Sequence, residues 1–287
     1  MVVKILNLGA GVQSSAILLK CIHGELPVPD HAIFADTGDE PKAVYDWLQV
    51  LIRLAKDAGI PVHVVSREGE TLLEHMTEQI KTGKRLDKIP AFVANEKGKS
   101  GPIMRDCTGT FKIKVIDKKV KEILGIAHLG RWPKELAVET WIGISADEMN
   151  RMKCSTNVWQ RFWHPLIEQP WRDNEKSPRF LDKPIRREDC MAWLEKHGYM
   201  DVPRSACIYC PFHSNREWRR VRSVPDEWER ACQVDELLRS GPNGLIHAMR
   251  QPIYLHPSLV PLREANIDGA AGQLSLWDDE CAGVCGV

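Results

Sequence analysis

The residues best equipped for chemistry begin almost at the start of the chain, in Gly9-Ala10-Gly11-Val12-Gln13-Ser14-Ser15. Val2 to Leu8 before them is short, apolar and rich in β-branched residues, which predicts a buried strand. An apolar stretch through about Lys20 follows, with Ser14 and Ser15 placed to cap it as a helix. A strand, a glycine turn and a helix N-terminus form an anion site: the first N–H groups have no partner and the helix dipole favours a phosphate or sulfate. A plain βα turn without a ligand is the alternative. The loop lacks the third glycine of a dinucleotide fingerprint and the Gly-Lys-Ser/Thr of a Walker loop.

Thiols form a second group. The chain holds nine cysteines, and without a secretory leader that number favours metal binding or thiol chemistry over disulfides. Cys207-Ile208-Tyr209-Cys210-Pro211-Phe212-His213 contains a C-x-x-C that can place two thiolates on one metal. Cys107 and Cys190 are the candidates for the two further ligands, and His213 is one for zinc. A redox C-x-x-C is a third use of the pair. Near the end, Asp278-Asp279-Glu280-Cys281 and Cys285 put thiols on a Gly- and Ala-rich tail. Cys281 there could act as a nucleophile or a sulfur carrier, although three acidic neighbours disfavour its thiolate.

Charged residues form the third. Trp141-Ile142-Gly143-Ile144-Ser145-Ala146-Asp147-Glu148-Met149-Asn150-Arg151 leaves a strand and sets two carboxylates and an arginine in one turn. Arg151 suits a phosphate or sulfate oxygen through its planar fork; Glu148 could hold a cation or orient Arg151. Asn215-Arg216-Glu217-Trp218-Arg219-Arg220-Val221-Arg222 offers four arginines and a tryptophan to a phosphate backbone, or a solvated helix face paired with Glu217 and Glu227.

The elements that would position these groups alternate. Strands are predicted at 31–35, 61–65 and 136–144, and helices at 42–58, 71–80, 111–126, 186–197, 215–221 and 225–239. That order argues a parallel sheet with helices on both faces. Residues 81–109 read mainly as loop, and 151–179 show no period. Asp36-Thr37-Gly38 ends the second strand, where open parallel sheets bind ligands. Formal net charge is zero, so no global field draws the chain to nucleic acid or membrane. No apolar run reaches membrane-span length and the N-terminus lacks a signal layout, which predicts a cytoplasmic protein. Ten tryptophans are expected mostly to pack.

In order, these motifs resemble the phosphoadenylyl-sulfate (PAPS) reductase-like family of the adenine-nucleotide α-hydrolase, or PP-loop, superfamily. Its loop reads Ser-Gly-Gly-x-Asp-Ser. Gly11 and Ser14 match it, while Gly9, Ala10 and Gln13 replace Ser, Gly and Asp, and that Asp can help organise Mg²⁺. Asp36-Thr37-Gly38 is similar to the family's turn near the adenosine. Cys107 and Lys112 match a Cys followed by Lys. Gly143, Glu148 and Arg151 match a Gly-x-Arg-x-x-Glu-Ser-x-x-Arg run, in which Ser145 replaces the first Arg. Glu280 and Cys281 loosely match a terminal Glu-Cys-Gly.

The resemblance implies an open, mostly parallel five-stranded Rossmann-like (HUP-type) sheet over 1–165, a cysteine-bearing extension over 166–265 and a tail over 266–287. It implies ATP or PAPS/APS as ligand, with Mg²⁺ if ATP is used. It also implies a [4Fe–4S] cluster, with Asp106 standing where a family cysteine would be and Cys190 filling in; Zn²⁺ is the competing occupant. Lys112 and Arg151 would attend the nucleotide's anion. Two activities follow: ATP-dependent thiolation of a nucleic-acid or small acceptor, or reduction of PAPS/APS by Cys281 with a thioredoxin-type reductant. A non-catalytic nucleotide- or nucleic-acid-binding protein is the third reading, favoured by Gln13.

Overall fold

The computed structural model describes residues 2–82, 91–94, 98–102, 106–172, 175–240 and 252–268. Cys281 and Cys285 lie outside them. Among the described residues, no helix is long and apolar enough to cross a membrane.

The chain is α/β. Five strands, β1 (Val3–Asn7), β2 (His31–Asp36), β3 (Val62–Ser66), β6 (Val138–Trp141) and β7 (Gln160–Trp163), form one sheet in the order β3-β2-β1-β6-β7. Every pairing in it is parallel, which is stricter than the mostly parallel sheet expected. Helices cover both faces. Leu6, Leu8, Phe34, Trp141 and Trp163 face α1 (Val12–Ile22), α2 (Lys42–Asp57) and α5 (Arg187–Lys196) in one apolar cluster. Alternate residues on the same strands, Ile5, Ile33, Ala35 and Val138, meet α4 (Lys114–Ile123) on the other face. The period-2 alternation of strand side chains sorts the two sets.

Residues read mainly as loop contain a small antiparallel pair, β4 (Phe92–Ala94) with β5 (Ser100–Pro102), and Phe92 also bridges to Tyr254. Three-residue strands are too short to show a period in the sequence. The predicted helix at 111–126 is a π-helical turn over Gly109–Ile113 that runs into α4. β7 emerges from the stretch without periodicity: Phe162 and Trp163 are apolar neighbours on opposite faces, as in a strand covered on both sides.

The third apolar cluster joins α3 (Leu72–Thr82), α6 (Asn215–Arg222) and α7 (Pro225–Ser240) around Phe111, Tyr209 and Trp218. Asp235, 1% exposed, ties it to the later chain by accepting the N–H groups of Leu255 (2.9 Å) and Leu262 (2.7 Å).

Candidate functional site

Strand order reverses at β1: the chain moves outward through β2 and β3, then returns to place β6 on the opposite side of β1. The carboxyl ends of β1 and β6 therefore frame the crevice where open α/β sheets take ligands. The loop from Gly9 to Ser15 leaves β1 there, and the run from Gly143 to Arg151 leaves β6.

α1 starts at Val12 with Gly11 as its N-cap, and no side chain caps it. The first bond at this end runs from Ser15 N–H to the Gly11 carbonyl (3.0 Å), so the N–H groups of Val12 to Ser14 lead into the crevice ahead of the helical ladder. Ala10 adopts φ +55°, the left-handed region uncommon for a residue with a Cβ. The predicted serine caps do other work. Ser14 Oγ accepts from Gly9 N–H (3.1 Å), closing the loop on itself, and Ser15 Oγ accepts from Trp47 Nε1 (2.9 Å), tying α1 to α2.

Gly143 sits directly on this helix start. A Cβ there would lie 3.1 Å from Ser14 N and 3.3 Å from its Cα, so only glycine lets the two turns approach this closely. Gln13 then links three elements. Its Nε2 donates to Glu148 Oε2 (3.2 Å), and its Oε1 accepts from Arg187 at the start of α5 (3.3 Å). Glu148, 5% exposed, also pairs with Arg151. An aspartate at position 13 would face Glu148 with like charge; the amide instead donates to one carboxylate and accepts from one guanidinium.

Asp36-Thr37-Gly38 is engaged within the protein. Asp36 Oδ1 accepts from Gly38 N–H (2.8 Å) and Tyr45 O–H (2.7 Å). Thr37 Oγ1 lies 3.4 Å from Cys207 Sγ, and a Cβ on Gly38 would meet Thr71 at 2.5 Å. Lys112 is buried with Nζ 3.4 Å from Glu40, which also accepts from Ser205 (3.3 Å). Asp39, absent from the sequence reading, is a fully buried hub for Tyr209 O–H (2.7 Å), Leu73 N–H (3.2 Å) and Arg230. Burial pushes its carboxyl up, while Tyr209 and Arg230 oppose the shift. Local sequence carries no sign of this role, because all its partners are distant.

The four expected metal ligands are not brought together as a set. Cys107 and Cys207 pack partly buried beside the Phe111–Tyr209–Trp218 cluster, and Cys210 lies beside Phe92 and Phe212. Cys190 is the correction. It is fully buried on α5 within the α1–α2 core, where burial pushes its thiol up to about 12. Helical spacing turned it toward the sheet, away from the C-x-x-C. Among the described residues, no group of three or more His, Cys, Asp or Glu is arranged to hold a metal ion. The donor set thus does not fit a four-thiolate cluster. Cys207 is also held as a thiol, first by burial and then by the Glu40 charge. His213 donates from Nε2 to the Cys207 (3.0 Å) and Ile208 (3.2 Å) carbonyls, so it serves the C-x-x-C turn as a brace.

Two cavities flank the switch point. On the α1 face, a groove of about 1060 Å³ is lined by Val12, Ser145, Glu148 and a run of arginines that includes Arg187, Arg204, Arg216 and Arg220. Arg204 is 9% exposed and its Nε has no hydrogen-bond partner among the described residues; neither has Arg220 Nη2. Three of the α6 arginines are engaged: Arg219 donates to the Ile267 carbonyl, Arg222 pairs with Asp268, and Arg220 Nε pairs with Glu217 (3.0 Å). On the α4 face, a second cavity of about 340 Å³ opens between the ends of β1, β6 and β7.

No protein-family model matches the chain, and no curated protein matches it.

Proposed function

We propose that the chain binds an adenine nucleotide by its charged end at the N-terminus of α1 and uses ATP to activate an acceptor for sulfur transfer, as a PAPS-reductase-like member of the adenine-nucleotide α-hydrolase superfamily with a Rossmann-like (HUP-type) core. The observation that carries the binding reading is the joint at the switch point, where Gly143 lies against the open first turn of α1 and Gln13, Glu148, Arg151 and Arg187 form one network over it. The N–H groups of a helix start and a guanidinium at one point suit a phosphate. The sulfur chemistry rests on the motif resemblance.

In this reading an acceptor oxygen attacks the α-phosphorus of Mg²⁺-bound ATP and pyrophosphate leaves. A sulfide-level nucleophile then displaces AMP from the acceptor carbon or phosphorus. The chain's own contribution is positioning and charge stabilisation by the α1 N–H groups and Arg151. The arginine groove on the α1 face supports a polyanionic acceptor such as a nucleic acid strand. Reduction of a sulfonucleotide is the second reading. It requires a nucleophilic thiol, whereas burial raises the thiols of Cys21, Cys190, Cys207 and Cys232; of the other five cysteines, the motif resemblance gives that role to Cys281.

Incubation with ATP, Mg²⁺ and candidate acceptors, reading pyrophosphate, tests the choice. Pyrophosphate release that depends on the chain supports thiolation. Inert ATP together with thioredoxin-driven turnover of PAPS transfers the assignment to reduction. Tight nucleotide binding without either reaction makes the chain a binding protein.

A further inference from the structure

Charged side chains buried in this chain come with partners. Asp39, Glu40, Glu139, Glu148 and Asp235 are buried, and each holds an arginine or a lysine. Glu168 holds His164, and Glu227 takes the N–H of Lys42 (2.9 Å). Arg204 is the exception. It is 9% exposed, yet among the described residues its guanidinium forms no ion pair and no hydrogen bond. Its Nε is enclosed, whereas its two Nη groups keep access to solvent, and the residue lines the groove of about 1060 Å³ on the α1 face. A guanidinium cannot shed its charge, so burying one unpaired is costly unless a ligand supplies the anion.

The surroundings add cations instead of a counter-charge. Arg204 and Arg220 both act on the buried His213 ring and disfavour its protonation, so the two guanidinium groups share one neighbourhood. Arg216, exposed on α6, lines the same groove and pairs with no carboxylate among the described residues. Most carboxylates of the lining are already spent. Glu148 holds Arg151, Glu217 holds Arg220 (3.0 Å), Glu188 faces Arg186 (3.8 Å), and Asp147 takes the N–H of Arg187 (2.7 Å). Glu195 and Asp201 also line the groove, and neither pairs with Arg204 or Arg216. The segment carrying Arg204 rests on the start of α1: a Cβ on Gly11 would lie 3.4 Å from Ser205 and 4.0 Å from the Pro203 carbonyl. Arg151, the cation assigned above to the nucleotide, lines the other cavity, on the α4 face. Two cations that open on different cavities serve different anions.

We infer that Arg204 anchors a backbone phosphate of a nucleic-acid strand laid in this groove, with Arg216 as a second phosphate contact. A planar guanidinium held by its surroundings gives a phosphate two parallel N–H donors in a fixed direction. The inference deepens the thiolation reading by fixing where the acceptor is held, and rests on it only for the strand's role as acceptor. Contacts to phosphate position a strand without reading its bases.

Binding is measured on the full chain with three probes: a labelled single-stranded oligonucleotide, a polyglutamate peptide of the same charge, and inorganic tripolyphosphate for the α1 loop. The oligonucleotide is expected to bind with an affinity that falls as salt rises and does not depend on base sequence. Arg204→Met should weaken it about tenfold and lower the salt slope by about one, while tripolyphosphate binding stays unchanged. The melting temperature of this variant should equal or exceed that of the unmutated chain, because the change strands no carboxylate. On the unmutated protein, the oligonucleotide should protect Arg216 from phenylglyoxal, as mapped by peptide mass spectrometry. Unchanged oligonucleotide affinity in Arg204→Met, or no protection of Arg216, overturns the inference. So does a fall in melting temperature, which would make Arg204 a structural support. Polyglutamate binding as tight as the oligonucleotide assigns the groove to an acidic protein and overturns it too. Oligonucleotide binding that needs Arg204, without tripolyphosphate affinity, keeps the groove site and removes the loop reading. Tripolyphosphate binding without oligonucleotide binding does the reverse.

Discussion

Gln13 and Glu148 stand 135 positions apart and meet side chain to side chain at 3.2 Å. That bond closes the crevice between the first and fourth strands of the sheet in chain order of the β3-β2-β1-β6 row, and it decides what position 13 can be. The amide is neutral, so it adds no charge to the Glu148–Arg151 pair. Replacing Gln13→Asp sets two carboxylates against each other in a buried place. We expect a loss of about 1–3 kcal/mol in urea unfolding without divalent cation, and recovery of part of it with millimolar Mg²⁺. Absence of any Mg²⁺ effect would show that the crevice does not organise a cation.

Glu148→Ala removes the buried partner of Arg151, whose side chain is 14% exposed. Breaking a buried pair from one side strands the other charge, a cost of about 3 kcal/mol. Chemical denaturation should show it, and the double change Glu148→Ala with Arg151→Met should be less destabilising than Glu148→Ala alone. Nucleotide affinity, in contrast, should fall further in the double variant than in the single one.

Gly143→Ala tests the close approach of the two turns. Its Cβ would press on Ser14 backbone rather than on a flexible side chain, so the α1 start must shift. ATP affinity is expected to fall by at least about tenfold, since displacement of oriented N–H groups by a fraction of an ångström removes their aim. Circular dichroism should retain the helix content. Unchanged affinity would take the α1 N-terminus out of the site.

Two groups give the stability curve opposite pH limbs. Burial, then the charges of Arg204 and Arg220, lowers His213 to about 3. A depressed histidine is neutral in the fold, so its contribution is whole above the unfolded value near 6.5 and is lost as pH falls from there toward 3. Asp117 is raised to about 6, chiefly by burial and against the pull of Lys121. Its protonated form favours the fold, so stability from this group is present below the unfolded value near 4 and is lost as pH rises through 6. Asp117→Asn should flatten the limb between 4 and 6, and His213→Gln the acid limb, in melting temperatures taken across pH 3 to 8.

Cys190→Ala is expected to leave the iron and zinc content of anaerobically purified protein unchanged, because this thiol packs in the α1–α2–α5 core. Its stability should fall by about 1 kcal/mol through the small cavity created. A drop in metal content would restore Cys190 to a ligand set.

The sequence by itself determined the local units: the β1–Gly–α1 passage, the alternation of strands with helices, and the turn carrying Glu148 and Arg151. These depend on short-range terms, namely apolar periodicity, glycine at breaks and propensity, which a reader of the chain can see directly. Tertiary structure decided which groups face one another. It gave Gln13 its partners on β6's outgoing turn and on α5, put Cys190 in the core and consumed Asp36-Thr37-Gly38 in its own turn. Those outcomes depend on strand order and helix rotation, which are set by burial summed over the whole sheet and not by any residue's neighbours in sequence.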